Sequence, residues 1–133
     1  MFVLNSIQNP LPLQIQFLFE NAPPLNPTLN AKETQTKITS FLKKKGWSCK
    51  NELFINDRGD GKKGRVDIVA HKDGITLAIE IDRLHPRKKS ILKLQGINAY
   101  RILILRGTVK CVIPSGIHAI CSINGGNDSK EYV

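Results

Sequence analysis

The chain has 133 residues, enough for one domain with a single core and too few for two. Hydrophobic content of 41% and charged content of 23% are ordinary for a globular protein, but the net charge of +9 is not. Glu20 is the one charged side chain in residues 1–31, so residues 32–133 carry +10, which makes nucleic acid the expected partner ahead of an anionic membrane.

Residues 1–31 read as an uncharged arm punctuated by Pro10, Pro12, Pro23, Pro24 and Pro27. Between the prolines, residues 13–19 suit one short helix or strand, apolar enough to pack on this domain or on a second copy, which makes the arm a candidate homodimer interface. Residues 30–45 carry a helical pattern. Ile38, Phe41, Leu42 and Lys45 fall on one face, and Gly46 stops the helix. Residues 47–55 form a strand and 56–64 a turn rich in glycine and charge. Residues 65–70 and 75–81 are strands joined by a hairpin at Lys72-Asp73-Gly74. A helix opens at His85-Pro86 and runs through Gln95 to Gly96. Residues 100–105 are apolar enough for a strand buried on both faces, 108–113 suit one more strand, and 125–133 read as a flexible tail. The order is helix, three strands, helix, strand: an α/β domain over residues 32–124 with a mixed central sheet flanked by helices.

The opening MFVLNSIQNPLPLQ has no basic region of the kind a signal peptide needs, and no apolar run approaches a membrane span. Cys49, Cys111 and Cys121 are odd in number and irregularly spaced, which suits reduced thiols in the cytoplasm. Cys111, His118 and Cys121 are only three, at irregular spacing, and lack the pattern of a zinc site.

Two acids inside apolar strands carry the chemistry. Asp67 interrupts Val66 and Ile68, and Glu80 interrupts Ile79 and Ile81. Each lies about six residues from the Asp73-Gly74 turn, which places them opposite each other on an antiparallel pair, with Cβ atoms roughly 5 Å apart. Carboxylates that close repel unless a cation lies between them, and a hard, oxygen-seeking ion such as Mg²⁺ or Mn²⁺ suits the donors.

Gly64-Arg65-Val66-Asp67-Ile68-Val69-Ala70 followed by Ala78-Ile79-Glu80-Ile81-Asp82 resembles the core of PD-(D/E)xK nucleases, over about residues 32–106 including Leu42 and Gly46-Trp47. The resemblance implies a restriction-endonuclease-like αβββαβ core, a metal held by Asp67 and Glu80, and DNA as substrate. Asp82 stands where the ExK lysine of that superfamily stands. Glu80-Ile81-Asp82-Arg83-Leu84-His85 is instead similar to the E-x-D and His arrangement of a subset related to very-short-patch repair endonucleases. The run from Lys88 through Leu92 and Gly96, then residues 101–106, is similar to that subset as well.

On that basis Asp82 is a third ligand or a second-metal ligand. Lys88, or alternatively Lys89, replaces the missing lysine, and His85 donates a proton or positions water. Glu33 is either a further catalytic acid or the partner of Asn30 in a helix cap. Gln95 matches a polar position of some relatives. Arg58, Lys62, Lys63, Arg65, Arg83, Arg87 and Lys89 flank the acids in sequence and would grip DNA phosphates without reading bases. Lys43-Lys44-Lys45 answers a helix C-terminus instead. The expected activity is a metal-dependent endonuclease or nickase. The alternatives are a nuclease like the Holliday-junction resolvases, a DNA-binding module that has lost catalysis, and a phage or plasmid accessory protein acting through its arm.

Overall fold

The computed structural model describes residues 2–4, 11–22, 25, 28–56, 61–83, 86–106 and 116–121. Its elements are β1 (Phe2–Leu4), α1 (Leu13–Glu20), α2 (Ala31–Lys44), β2 (Ser48–Ile55), β3 (Gly64–Lys72), β4 (Ile75–Asp82), α3 (Lys88–Gln95), β5 (Tyr100–Leu105) and β6 (Ile117–Cys121). Six strands form one mixed sheet in the order β1-β6-β5-β4-β3-β2. The β2–β3 and β3–β4 pairs are antiparallel, β4–β5 and β5–β6 are parallel, and β1 is antiparallel to β6.

Local chemistry explains each boundary that matters for the site. Asn30 caps α2 by accepting the Glu33 N–H at 2.8 Å, while Glu33 reaches back to the Asn30 N–H at 3.3 Å, a reciprocal capping box. Gly46, with φ of 91°, ends that helix and turns the chain toward buried Trp47. The hairpin residues Asp73 and Gly74 both have positive φ, 50° and 78°, as a two-residue turn matching the strand twist requires. That turn fixes the register Ile68↔Ile79 and Val69↔Ala78, and one step further brings Asp67 opposite Glu80.

The sheet separates two apolar layers. On one face α1 and α2 cover Ile68, Ala70, Leu77, Ile79, Ile81, Ile102, Ile104 and Ile120, contributing Ile15, Phe19, Ile38 and Leu42. On the other, Leu94 of α3 packs on Val69, Ala78, Leu103 and Ala119. Val66 also belongs to this second layer, although strict alternation would put it opposite Val69. The pleat therefore breaks at Asp67. On β2, Glu52 sits between the registered pairs Asn51↔Ile68 and Leu53↔Val66 and has φ of 55°.

The segment read as an arm is built into the domain. Leu11, Ile15 and Phe19, spaced four apart, are buried with Leu25 in the α1–α2 core, and β1 forms one edge of the sheet. Leu13 and Phe17 of the same α1 helix remain exposed. β6 was not expected from the sequence. The strand expected over 108–113 and the tail over 125–133 lie outside the described residues. No helix among the described residues is long and apolar enough to cross a membrane.

Candidate functional site

Asp67 and Glu80 meet where the β3–β4 ladder stops. Their side chains replace the missing backbone partners: the Asp67 N–H donates to Glu80 Oε2 at 2.8 Å, and the Ile81 N–H donates to Asp67 Oδ2 at 2.9 Å. Each acid thus takes one backbone donor, which explains how two carboxylates persist in adjacent apolar strands. Glu80 is fully buried and Asp67 partly so.

Lys93, a buried residue of α3, completes the group. Its Nζ lies 2.5 Å from Glu80 Oε1 and donates to the Arg65 carbonyl at 2.8 Å. The side chain reaches this point along Gly64. A Cβ at position 64 would come within 2.9 Å of Lys93 Cδ, so glycine there leaves the stem its path. Lys93 was not singled out from the sequence, where Lys88 and Lys89 compete for the same role. The available signal is helical spacing: Lys89 and Lys93 are four apart and share a face, and both line the cleft. Lys88 is exposed at the first position of α3. Lys93, rather than Lys88 or Lys89, makes the contact with the acids.

One ammonium does not balance the acids. Burial, followed by repulsion from Asp67, pushes the Glu80 carboxyl up from 4.5 to about 7. Burial also raises Asp67, against the opposing effect of the Ile81 N–H and of Lys93 and Arg87. Buried Glu80 Oε1 has no aligned hydrogen bond, only the close ammonium. Two hard oxygen donors with excess negative charge fit a divalent cation such as Mg²⁺, which is commonly held by one or two carboxylates with water and phosphate filling the remaining positions.

Asp82 lies elsewhere. Its Oδ1 accepts from Arg87 Nε at 2.6 Å and from Ser90 Oγ at 3.0 Å, and its Oδ2 accepts the Arg87 N–H at 2.8 Å. These bonds tie the end of β4 to the start of α3, where the N-cap residue Arg87 supplies no side-chain cap of its own. As placed, Asp82 is occupied as an anchor for α3, and among the described residues no three His, Cys, Asp or Glu side chains form a metal cluster. Glu33, in its capping box, is likewise occupied and exposed. Gln95 is exposed at the end of α3.

A cleft of about 290 Å³ opens over the acids, lined by Glu52, Lys63, Gly64, Arg65, Asp67, Arg87, Lys89 and Lys93. Four of the expected phosphate-binding residues, Lys63, Arg65, Arg87 and Lys89, therefore converge on Asp67. Arg83 and Lys62 are exposed but do not line it, and Arg58 and His85 lie outside the described residues. A larger hollow of about 590 Å³ between α1 and the β3–β4 turn is lined by Phe17, Trp47, Lys72 and Ile75 among others, and contains none of the paired acids. Buried His118 on β6 is held below its ordinary pKa by burial, and Cys111 lies outside the described residues.

No family model matches this chain, and no curated protein matches it. Among solved structures it is similar to the crystal structure of AF1548, a protein of unknown function, at 14% identity and a TM-score of 0.50. The alignment covers 74% of this chain and 61% of that one, so this chain matches less than two thirds of its neighbour's length. At that identity the likeness concerns the fold alone.

Proposed function

We propose that this chain is a metal-dependent endonuclease or nickase that hydrolyses phosphodiester bonds in DNA, built on a PD-(D/E)xK core of the restriction-endonuclease-like type. The observation that carries the proposal is the meeting of Asp67, Glu80 and Lys93 at the floor of a basic cleft. The αβββαβ order and the E-x-D sequence support kinship with the very-short-patch-repair-like subset, with Lys93 from α3 replacing the strand lysine.

Asp67 and Glu80 are the residues that would hold Mg²⁺ or Mn²⁺. When bound, such an ion neutralises the phosphate and lowers the pKa of an attacking water. Lys93 supplies a fixed positive charge, little exposed to solvent, beside the acids, where it would stabilise charge developing on the phosphoryl oxygens. Lys63, Arg65, Arg87 and Lys89 would hold the flanking phosphates. Asp82 acts through α3: by fixing Arg87 and Ser90 it sets where Lys93 arrives, which makes it a positioning residue. His85 remains the candidate for protonating the leaving oxygen.

The test uses supercoiled plasmid, a mismatch duplex and a four-way junction, each with Mg²⁺ or Mn²⁺ and with EDTA. Metal-dependent cutting that disappears in Asp67→Ala, Glu80→Ala and Lys93→Ala is the expected result. Cutting that survives the two acid substitutions refutes the proposal. Preference for the junction would favour a resolvase-like enzyme. A second reading, a DNA-binding module without catalysis, draws support from the structural use of both acids in bridging β3 and β4. Salt-sensitive binding without cutting would select it.

A further inference from the structure

Phe54 stands on β2, a free edge of the sheet, and at 74% exposure is the most exposed large apolar side chain among the described residues. Its cross-strand partner is Arg65, whose guanidinium carbon lies 5.7 Å from the centre of the ring. Arg65 itself lines the cleft together with Asp67, two residues along β3, or about 7 Å at the rise of a strand. An aromatic ring on the solvent edge, against a cation that also faces a phosphate-binding cleft, matches the chemistry of a nucleobase on its phosphodiester chain. The surrounding Lys63, Arg87, Lys89 and Lys93 supply the charge complementarity such a chain requires.

We propose that Phe54 and Arg65 form a stacking platform for an unpaired base, so that the substrate is DNA with a base out of its stack, such as a single strand, a mismatch or a junction arm. In a fully paired duplex every base is already stacked on its neighbours, and the platform would have nothing to hold. The inference rests on the proposed role of the cleft in holding DNA, but it concerns recognition rather than hydrolysis.

The experiment is done in EDTA, so that binding is read without cutting. The probes are a fluorescein-labelled single strand, the paired duplex of the same sequence, and the same strand carrying a fluorescent adenine analogue that is quenched by stacking. Wild type is expected to prefer the single strand and to quench the analogue. Phe54→Ala is expected to lower the ratio of single-strand to duplex affinity by roughly 5- to 150-fold and to abolish the quenching. Phe54→Trp should retain both, and Phe17→Ala, at another exposed aromatic that lines the other hollow, should leave both unchanged.

An unchanged ratio and quench in Phe54→Ala would overturn the platform, as would failure of wild type to bind either DNA. A wild-type dimer in sedimentation that dissociates on Phe54→Ala would overturn it too, because the edge would then be a contact between copies. Quenching by a protein that never cuts would uphold the platform and refute the nuclease. Cutting in which Phe54→Ala changes no substrate preference would do the reverse.

Discussion

Replacing Glu80 with glutamine isolates the charge imbalance on which the cation site depends. In the metal-free protein the Glu80 carboxyl titrates near 7 rather than 4.5, because burial and Asp67 both oppose its ionisation. Between those values the folded state keeps a proton that the unfolded chain has lost, so rising pH through this window removes stability. At 1.36 kcal/mol per pH unit, the loss reaches about 3 kcal/mol above neutrality. Glutamine cannot ionise. The variant does lose the Lys93 ion pair, a cost set against this gain, but Lys93 keeps its bond to the Arg65 carbonyl. Chemical denaturation in EDTA across the range from about pH 5 to pH 8 should therefore show the stability of Glu80→Gln minus that of wild type rising with pH by about 3 kcal/mol. Adding Mg²⁺ above pH 7 should stabilise wild type and leave the variant nearly unmoved. A difference that does not change with pH would refute the reasoning, because the acids would then be balanced without a cation.

Other substitutions separate the roles of neighbouring residues. Gly64→Ala should displace the Lys93 stem, which its Cβ would approach within 2.9 Å, and reduce cutting while leaving the fold intact by circular dichroism. Asp82→Ala should cost about 1–3 kcal/mol by stranding Ser90 and the Arg87 N–H, and should lower cutting through misplacement of Lys93 while Mn²⁺ affinity, read by calorimetry, changes little. Glu33→Gln should retain activity and lose a few tenths of a kcal/mol, whereas Asn30→Ala should lose about 1 kcal/mol in thermal denaturation. Phe19→Ala should cost about 3–5 kcal/mol, the penalty for emptying a core site, where a detached arm would tolerate it.

The elements whose order follows local rules were legible in the sequence. The α2 helix with its Asn30 and Glu33 signals, the hairpin at Asp73-Gly74, and the apolar β5 each carry their periodicity and turn residues within a short window. The hairpin also determined that Asp67 and Glu80 face each other, since register follows from turn geometry alone. What lay beyond a local window was decided by packing. The α1 helix has an ambiguous pattern, and only the apolar sheet face of Ile102, Ile104 and Ile120, which needs covering, explains why it folds inward. β6, five residues long, becomes a strand because β5 and β1 flank it.

The candidate site divides along the same line. Two carboxylates could be paired from strand counting, but the lysine that meets them comes from a helix, and its direction depends on how α3 is anchored and on the space left by Gly64. Asp82, adjacent in sequence to the site and matching its motif, is turned into an anchor because the start of α3 offers unpaired donors at hydrogen-bond distance. The sequence by itself determined which two acids oppose each other, since that is a matter of residue count from a turn. Only the tertiary structure decided which base joins them and which acid leaves, because that depends on the approach of an element thirteen residues further along the chain from Glu80.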